Sequence, residues 1–181
     1  DCLREVNLQD DLYTQRELVC FIDGEISQDF DKFINYVSVS MRKKHPGGKI
    51  TTDEIRVDRK NFNSEGNRFK LMYGWQPGDN DRRTWLNYEF KTVWNFFGGG
   101  TVENDWQSSA NPVIPLKAPV KRRTVNVIAE PDNVKQNNIR SVTVRVYYSA
   151  GGKEQFKQYS LNLSKQIYSG TIDFILPSDQ S

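Results

Sequence analysis

The 181 residues fit one large domain or two small ones and are enough to bury a core. Hydrophobic residues make up 36% and charged residues 27%, yet 12% aromatics argue against a disordered chain. The 25 Lys and Arg against 23 Asp and Glu leave a net +2, no electrostatic case for a nucleic-acid partner. No apolar run approaches the roughly 18–20 residues of a membrane helix, so no membrane insertion is expected.

Period-two alternation dominates, and long helical periodicity is almost missing. Residues 1–13 read as an N-terminal arm. Leu18 to Ile22 reads as a strand, and so does Ile34 to Met41, with Val37, Val39 and Met41 on one face. His45-Pro46-Gly47-Gly48 signals a turn before Ile50–Val57, and a further strand places Phe69, Leu71, Tyr73 and Trp75 on a core face. Pro77 to Asp81 is a loop tip. The longest strand is expected from Trp85 to Phe97, with Leu86, Tyr88, Phe90, Thr92, Trp94 and Phe96 on one side and Trp85 facing outward. Gly98-Gly99-Gly100 turns the chain into Thr101–Gln107. Residues 108–119 carry three prolines without a clean period and read as a linker. Beyond it the alternations Val125/Val127, Val142–Tyr148, Leu161/Leu163 and Ile172–Leu176 follow.

The order of these strands recurs. Ile34, Val37, Val39 and Met41 match Ile139, Val142, Val144 and Val146, each 105 positions on, and Cys20 and Ile22 fall on Val125 and Val127. A period near 100 residues with six or seven strands is the size of an immunoglobulin-like or fibronectin-type-III-like sandwich. The run Tyr88-x-Phe90-Lys91-Thr92-Val93-Trp94, followed by a glycine turn and another strand, resembles the penultimate strand and last hairpin of fibronectin-III-type domains. The resemblance covers one strand and a hairpin and implies a fold, not an activity. The family's early-strand tryptophan is missing, and Trp94 stands in for it. The expected fold is therefore all-β: two tandem sandwich units, 14–107 and 120–181. The second lacks counterparts of the last two strands of the first. Its missing strands and the Asp1 start, with no Met or signal-like segment, read as a piece of something longer. A sandwich without its last hairpin keeps an open edge, which predicts self-association or a protein partner there.

Candidate chemistry is sparse. The single histidine, His45, sits in a cationic hairpin tip with no acid flanking it, and no G-x-S-x-G, H-E-x-x-H, Walker or G-x-G-x-x-G pattern occurs, so no enzyme is expected. Two cysteines exclude a disulfide-dense scaffold, and Cys2 and Cys20 are either a disulfide or two free thiols. Asp79-Asn80-Asp81 and Asp29-x-Asp31 have spacings that suit Ca2+, although turn chemistry and capping explain them better; no other cofactor is suggested. The basic clusters Arg42–Lys44 and Lys121–Arg123 lack interleaved aromatics and read as solvated surface. Trp106 reads as packing just before the linker. Trp85 and Trp106 are the aromatic platforms a glycan would use, with Asp79, Asn80 and Asp81 bonding its hydroxyls. The expected function is a non-enzymatic structural or adhesive module of a larger cell-surface, periplasmic, envelope or extracellular assembly. A carbohydrate-binding module is the alternative, and a virus, phage or injection-particle component a third reading.

Overall fold

The computed structural model describes residues 14–22, 29–97, 100–150 and 153–178. Strand accounts for 59% and helix for 17%, which makes the chain all-β. The N-terminal arm 1–13, with Cys2, and the glycine turns at 98–99 and 151–152 lie outside the described residues. Contacts divide the chain into two compact units, the first up to Phe96 and over Thr101–Ala118, the second from Pro119 onward together with Phe97–Gly100.

In the first unit the alternating segments pair into two sheets. Strand β1 (Gln15–Ile22) lies between β4 (Arg68–Gly74), antiparallel to it, and β8 (Val113–Leu116), parallel to it. Strand β2 (Ile34–Lys44) is central in the other sheet, between β3 (Ile50–Asp58) and β5 (Tyr88–Phe96). The short β6 (Thr101–Glu103) and β7 (Gln107–Ser109) both pair with β5. Each sheet hides one face, as period-two patterning requires. Leu18, Cys20, Ile22, Leu71 and Ile114 are fully buried in the first sheet, and Val37, Val39, Val57 and Trp94 in the second.

Short helices fill the connections. Helix α1 (Asp29–Lys32) buries Phe30, whose ring stacks at 5.4 Å on Phe62 of α2 (Arg59–Glu65). Asp58 and Asn61 form a capping box at the start of α2, and Gly66 ends it at φ 78°, a left-handed value that favours glycine.

Three expectations need correction. The segment 108–119 is not a linker: β7 and β8 lie in it, with Ile114 and Leu116 in the core. Pro112 and Pro115 misled the pattern, because an edge strand tolerates a missing N–H. Residues Arg82–Leu86 form a helix, α3, so Trp85 and Leu86 do not belong to β5. Asp81 caps that helix through bonds from the Arg83 and Thr84 N–H groups. Trp75 lies just past β4 and is 41% exposed, not core.

The second unit has two antiparallel pairs. Strand β9 (Val120–Ile128) pairs with β12 (Ser169–Pro177), and β10 (Ser141–Ala150) pairs with β11 (Lys153–Asn162). Helix α4 (Pro131–Gln136) starts with proline at its first turn and buries Val134. Val127, Leu161, Leu163, Ile172 and Phe174 complete the core, with Tyr148 stacked on Phe174 at 4.9 Å. The β10–β11 hairpin and β12 meet closely at one point: a Cβ on Gly170 would lie 2.2 Å from the Tyr159 ring.

That contact predicts a coupling. Gly170→Ala should destabilise the second unit by about 1–3 kcal/mol, the range for overpacking. In a Tyr159→Ala background the same change should cost little, because nothing remains to be displaced. Urea unfolding of the four variants of this cycle measures the coupling.

Candidate functional site

The inward row of β2 does not end with its hydrophobic residues. Val37, Val39 and Met41 are followed at the same parity by Lys43 and His45, which the pleat carries inward too. Lys43 is 1% exposed and His45 5%.

His45 is held by residues from elsewhere. Its Nδ1 lies 2.7 Å from Asp79 Oδ2 and its Nε2 lies 2.9 Å from Thr51 Oγ1, with the His45 and Asp79 side chains fully buried. Asp79 therefore supplies the acid that the sequence around His45 lacks, from 34 residues away. The same Oδ2 accepts the Gln76 N–H, and Asp79 N–H donates to the Gln76 carbonyl. Gly78 at φ 107° follows Pro77 in that turn, as a type II turn demands. The Asp–His–Thr chain has the order of a catalytic relay, with the imidazole and the carboxylate both fully buried. What it does is clamp the β2–β3 turn to the loop 76–79.

Lys43 and Arg16 perform a related task. Lys43 Nζ donates to the carbonyls of Thr84 and Asn87, the latter at 2.8 Å. Arg16 donates to the Leu86 carbonyl at 2.6 Å, and the Tyr73 hydroxyl to the Trp85 carbonyl at 2.9 Å. The last carbonyls of the five-residue α3, which have no partners within the helix, are thus taken by two cations and a phenol. Burial holds the Lys43 ammonium below its usual proton affinity, and Arg16 adds to this while Asp79 opposes it.

Beside this cluster lies a cleft of about 410 Å3, lined among others by Arg42, Lys43, Lys44, Asn87, Glu89 and Ser108. Glu89 accepts from both Arg42 and Lys44, and these bonds hold its carboxyl below the usual range. The Arg42 guanidinium lies 4.1 Å from the Trp106 ring centre, with Lys91 Nζ at 5.5 Å from the same ring.

The residues expected at a glycan platform are dispersed. Trp106 carries the Arg42 guanidinium and the Lys91 ammonium over its ring. Trp85 packs edge-on against Tyr73 at 5.0 Å. Asp79 is buried on His45, Asp81 caps α3, and Asn80 is exposed. The turn and capping roles account for the first Asp-x-Asp pair. In the second, Asp31 pairs with Arg59 at 2.7 Å. No group of three metal-ligating side chains occurs among the described residues. Cys20 is a buried free thiol, pushed up to about 12 by burial and by the charge of Asp53. Lys43 was legible in the sequence, since the alternation of β2 simply continues through it. Asp79 was not, since nothing local links it to His45.

Comparison of the chain with protein-family models, curated proteins and solved structures finds no match.

Two outcomes follow from these geometries. His45→Ala should cost about 3–5 kcal/mol in urea unfolding, because the buried Asp79 carboxylate is left with the Gln76 N–H alone. Thr51→Val should cost only about 1 kcal/mol, the worth of one hydrogen bond. Raised proton affinities stabilise the fold below the unfolded-state value and lose that contribution as pH climbs toward the folded-state value. Cys20, ordinarily at 9.0, and the buried phenols Tyr73 and Tyr88 all shift upward. Unfolding free energy should therefore decline steadily from about pH 9 to pH 12. In a Cys2→Ser background, a thiol reagent at pH 8 should modify Cys20 only at the rate of unfolding.

Proposed function

We propose that this chain is a non-enzymatic structural or adhesive module, built of two immunoglobulin/fibronectin-III-like β-sandwich units. It would serve a cell-surface, periplasmic, envelope or extracellular assembly and associate through an open sheet edge. The observation that carries this reading is the pairing scheme. In both units the first strand pairs with the fourth and the second with the third, with a short helix between the first two. The orders β4-β1 and β3-β2-β5-β6 are compatible with a Greek-key sandwich. Strand β8 departs from it, because it runs parallel to β1 where immunoglobulin-type sheets are antiparallel.

Burial supports the open edge. In the first unit β5 flanks β2, and Val37, Val39 and Met41 are 0–1% exposed. In the second, β10 pairs with β11 alone among the described residues, and Val142, Val144 and Val146 are only half-buried. A strand bearing large alternating apolar side chains, as β5 does, would complete that row. A second reading, glycan recognition, is favoured by the cationic cleft of the first unit rather than by the tryptophans.

Sedimentation velocity over a concentration series, with hydrogen exchange on the same samples, tests the association. The expected result is a concentration-dependent oligomer in which the β10 amides turned away from β11 become protected. A monomer at every concentration, with those amides already slow to exchange, would show a closed edge and sink the reading.

A further inference from the structure

The cleft of the first unit holds three cations against one carboxylate: Arg42, Lys43 and Lys44 facing Glu89. Lys43 is the unusual member. Its ammonium carries three N–H donors and spends two of them on backbone carbonyls, with no carboxylate in contact among the described residues. The Tyr73 ring lies 5.8 Å from the same Nζ and Asp79 partly offsets the burial of the charge, and Lys43 lines the cleft beside the two carbonyls it holds.

The rest of the lining is prepared in the same sense. Arg42 is held over the Trp106 ring and by Nε bonding to Glu89, and its two terminal nitrogens make no hydrogen bond among the described residues. A guanidinium held in this way with its outer edge free suits a two-oxygen anion. The Asn87 amide and the Ser108 hydroxyl also line the cleft without a side-chain partner among the described residues, and they can bond neutral hydroxyls. The volume falls within the roughly 300–1,000 Å3 of small-molecule sites.

We propose that this cleft binds the carboxylate or sulfate group of an acidic sugar, the end residue of an anionic oligosaccharide. The oxyanion takes the free edge of Arg42, beside the buried charge of Lys43, and the sugar hydroxyls meet Asn87 and Ser108. Glu89 is the internal competitor, since it holds Arg42 and Lys44 in the empty cleft. The inference rests on the glycan reading and is independent of strand addition at β10.

Titration calorimetry of the full chain tests it with four probes: a galacturonate trisaccharide, its methyl ester, a sulfated galactose disaccharide, and sodium sulfate alone. Binding of the uronate but not of the ester is expected, and the sulfated probe shows whether the site takes carboxylate only or either oxyanion. Lys43→Met and Arg42→Gln should each weaken uronate binding about tenfold or more, through loss of the buried charge and of a charge-assisted hydrogen bond respectively. Glu89→Gln should tighten it several-fold, a gain that misfolding cannot imitate, and thermal melts verify that the variants fold. Equal binding of acid and ester would overturn the oxyanion inference while keeping the glycan reading. Failure of every sugar probe would overturn both. Sodium sulfate binding as tightly as the sugars, or a Glu89→Gln variant no tighter than wild type, would likewise overturn the inference.

Discussion

Strand β2 is hydrogen-bonded on both sides, by β3 and by β5, and so its pleat cannot be renegotiated locally. A slip of one residue would turn Val37, Val39 and Met41 out and Ser38, Ser40 and Arg42 in. The hydrophobic row fixes the register, and the register then sends Lys43 and His45 inward. Much of the first unit's loop structure answers that consequence. The turn at 76–79 brings Asp79 to His45, and the loop holding α3 turns its last carbonyls toward Lys43. A helix of five residues has little stability of its own, and here its end is held by three side chains from three strands, Arg16 of β1, Lys43 of β2 and Tyr73 of β4.

The two units solve the core problem differently. The first surrounds a central strand with neighbours on both sides and reaches complete burial along it. The second builds on two hairpin-like pairs and leaves its β10 row half-wet. It compensates with aromatic contacts across its pairs: Tyr148 stacked on Phe174, and Tyr159 lying over Gly170. Glycine at 170 gives up side-chain packing in a strand and gains close approach of a ring, an exchange known for glycines in sheets. On the outward face of β10–β11 the pairing is polar, Thr143 with Ser160 and Arg145 with Gln158, except for the exposed pair Tyr147 and Phe156.

Alternation made most strands readable, because a half-buried strand must write its burial into every second residue. It failed at three kinds of place. Proline obscured β8, although Ile114 and Leu116 carry its inward pattern plainly, since the rule against proline in strands holds for paired N–H groups and not for edges. A single capping aspartate, Asp81, starts the helix Arg82–Leu86, which takes Trp85 and Leu86 from the start of what reads as one long strand. The partners of buried polar groups come from distant sequence, so Asp79 for His45 and Trp106 beneath Arg42 carry no local signal. The cationic run at 42–44 looked like solvated surface because three like charges in a row usually are. Strand parity splits it, placing Arg42 and Lys44 outside and Lys43 within.

That split also says what Lys43 is not. Under the offset of 105 residues, Lys43 falls on Tyr148 and His45 on Ala150. Tyr148 in β10 is an aromatic, stacked on Phe174. A hydrophobic residue would avoid the desolvation cost that the buried ammonium carries, and replacing such charges with apolar side chains is often neutral or stabilising. The interior of the first unit tolerates Lys43 because of what stands beside it: the α3 carbonyls that take its N–H groups, the Tyr73 ring and the opposing charge of Asp79.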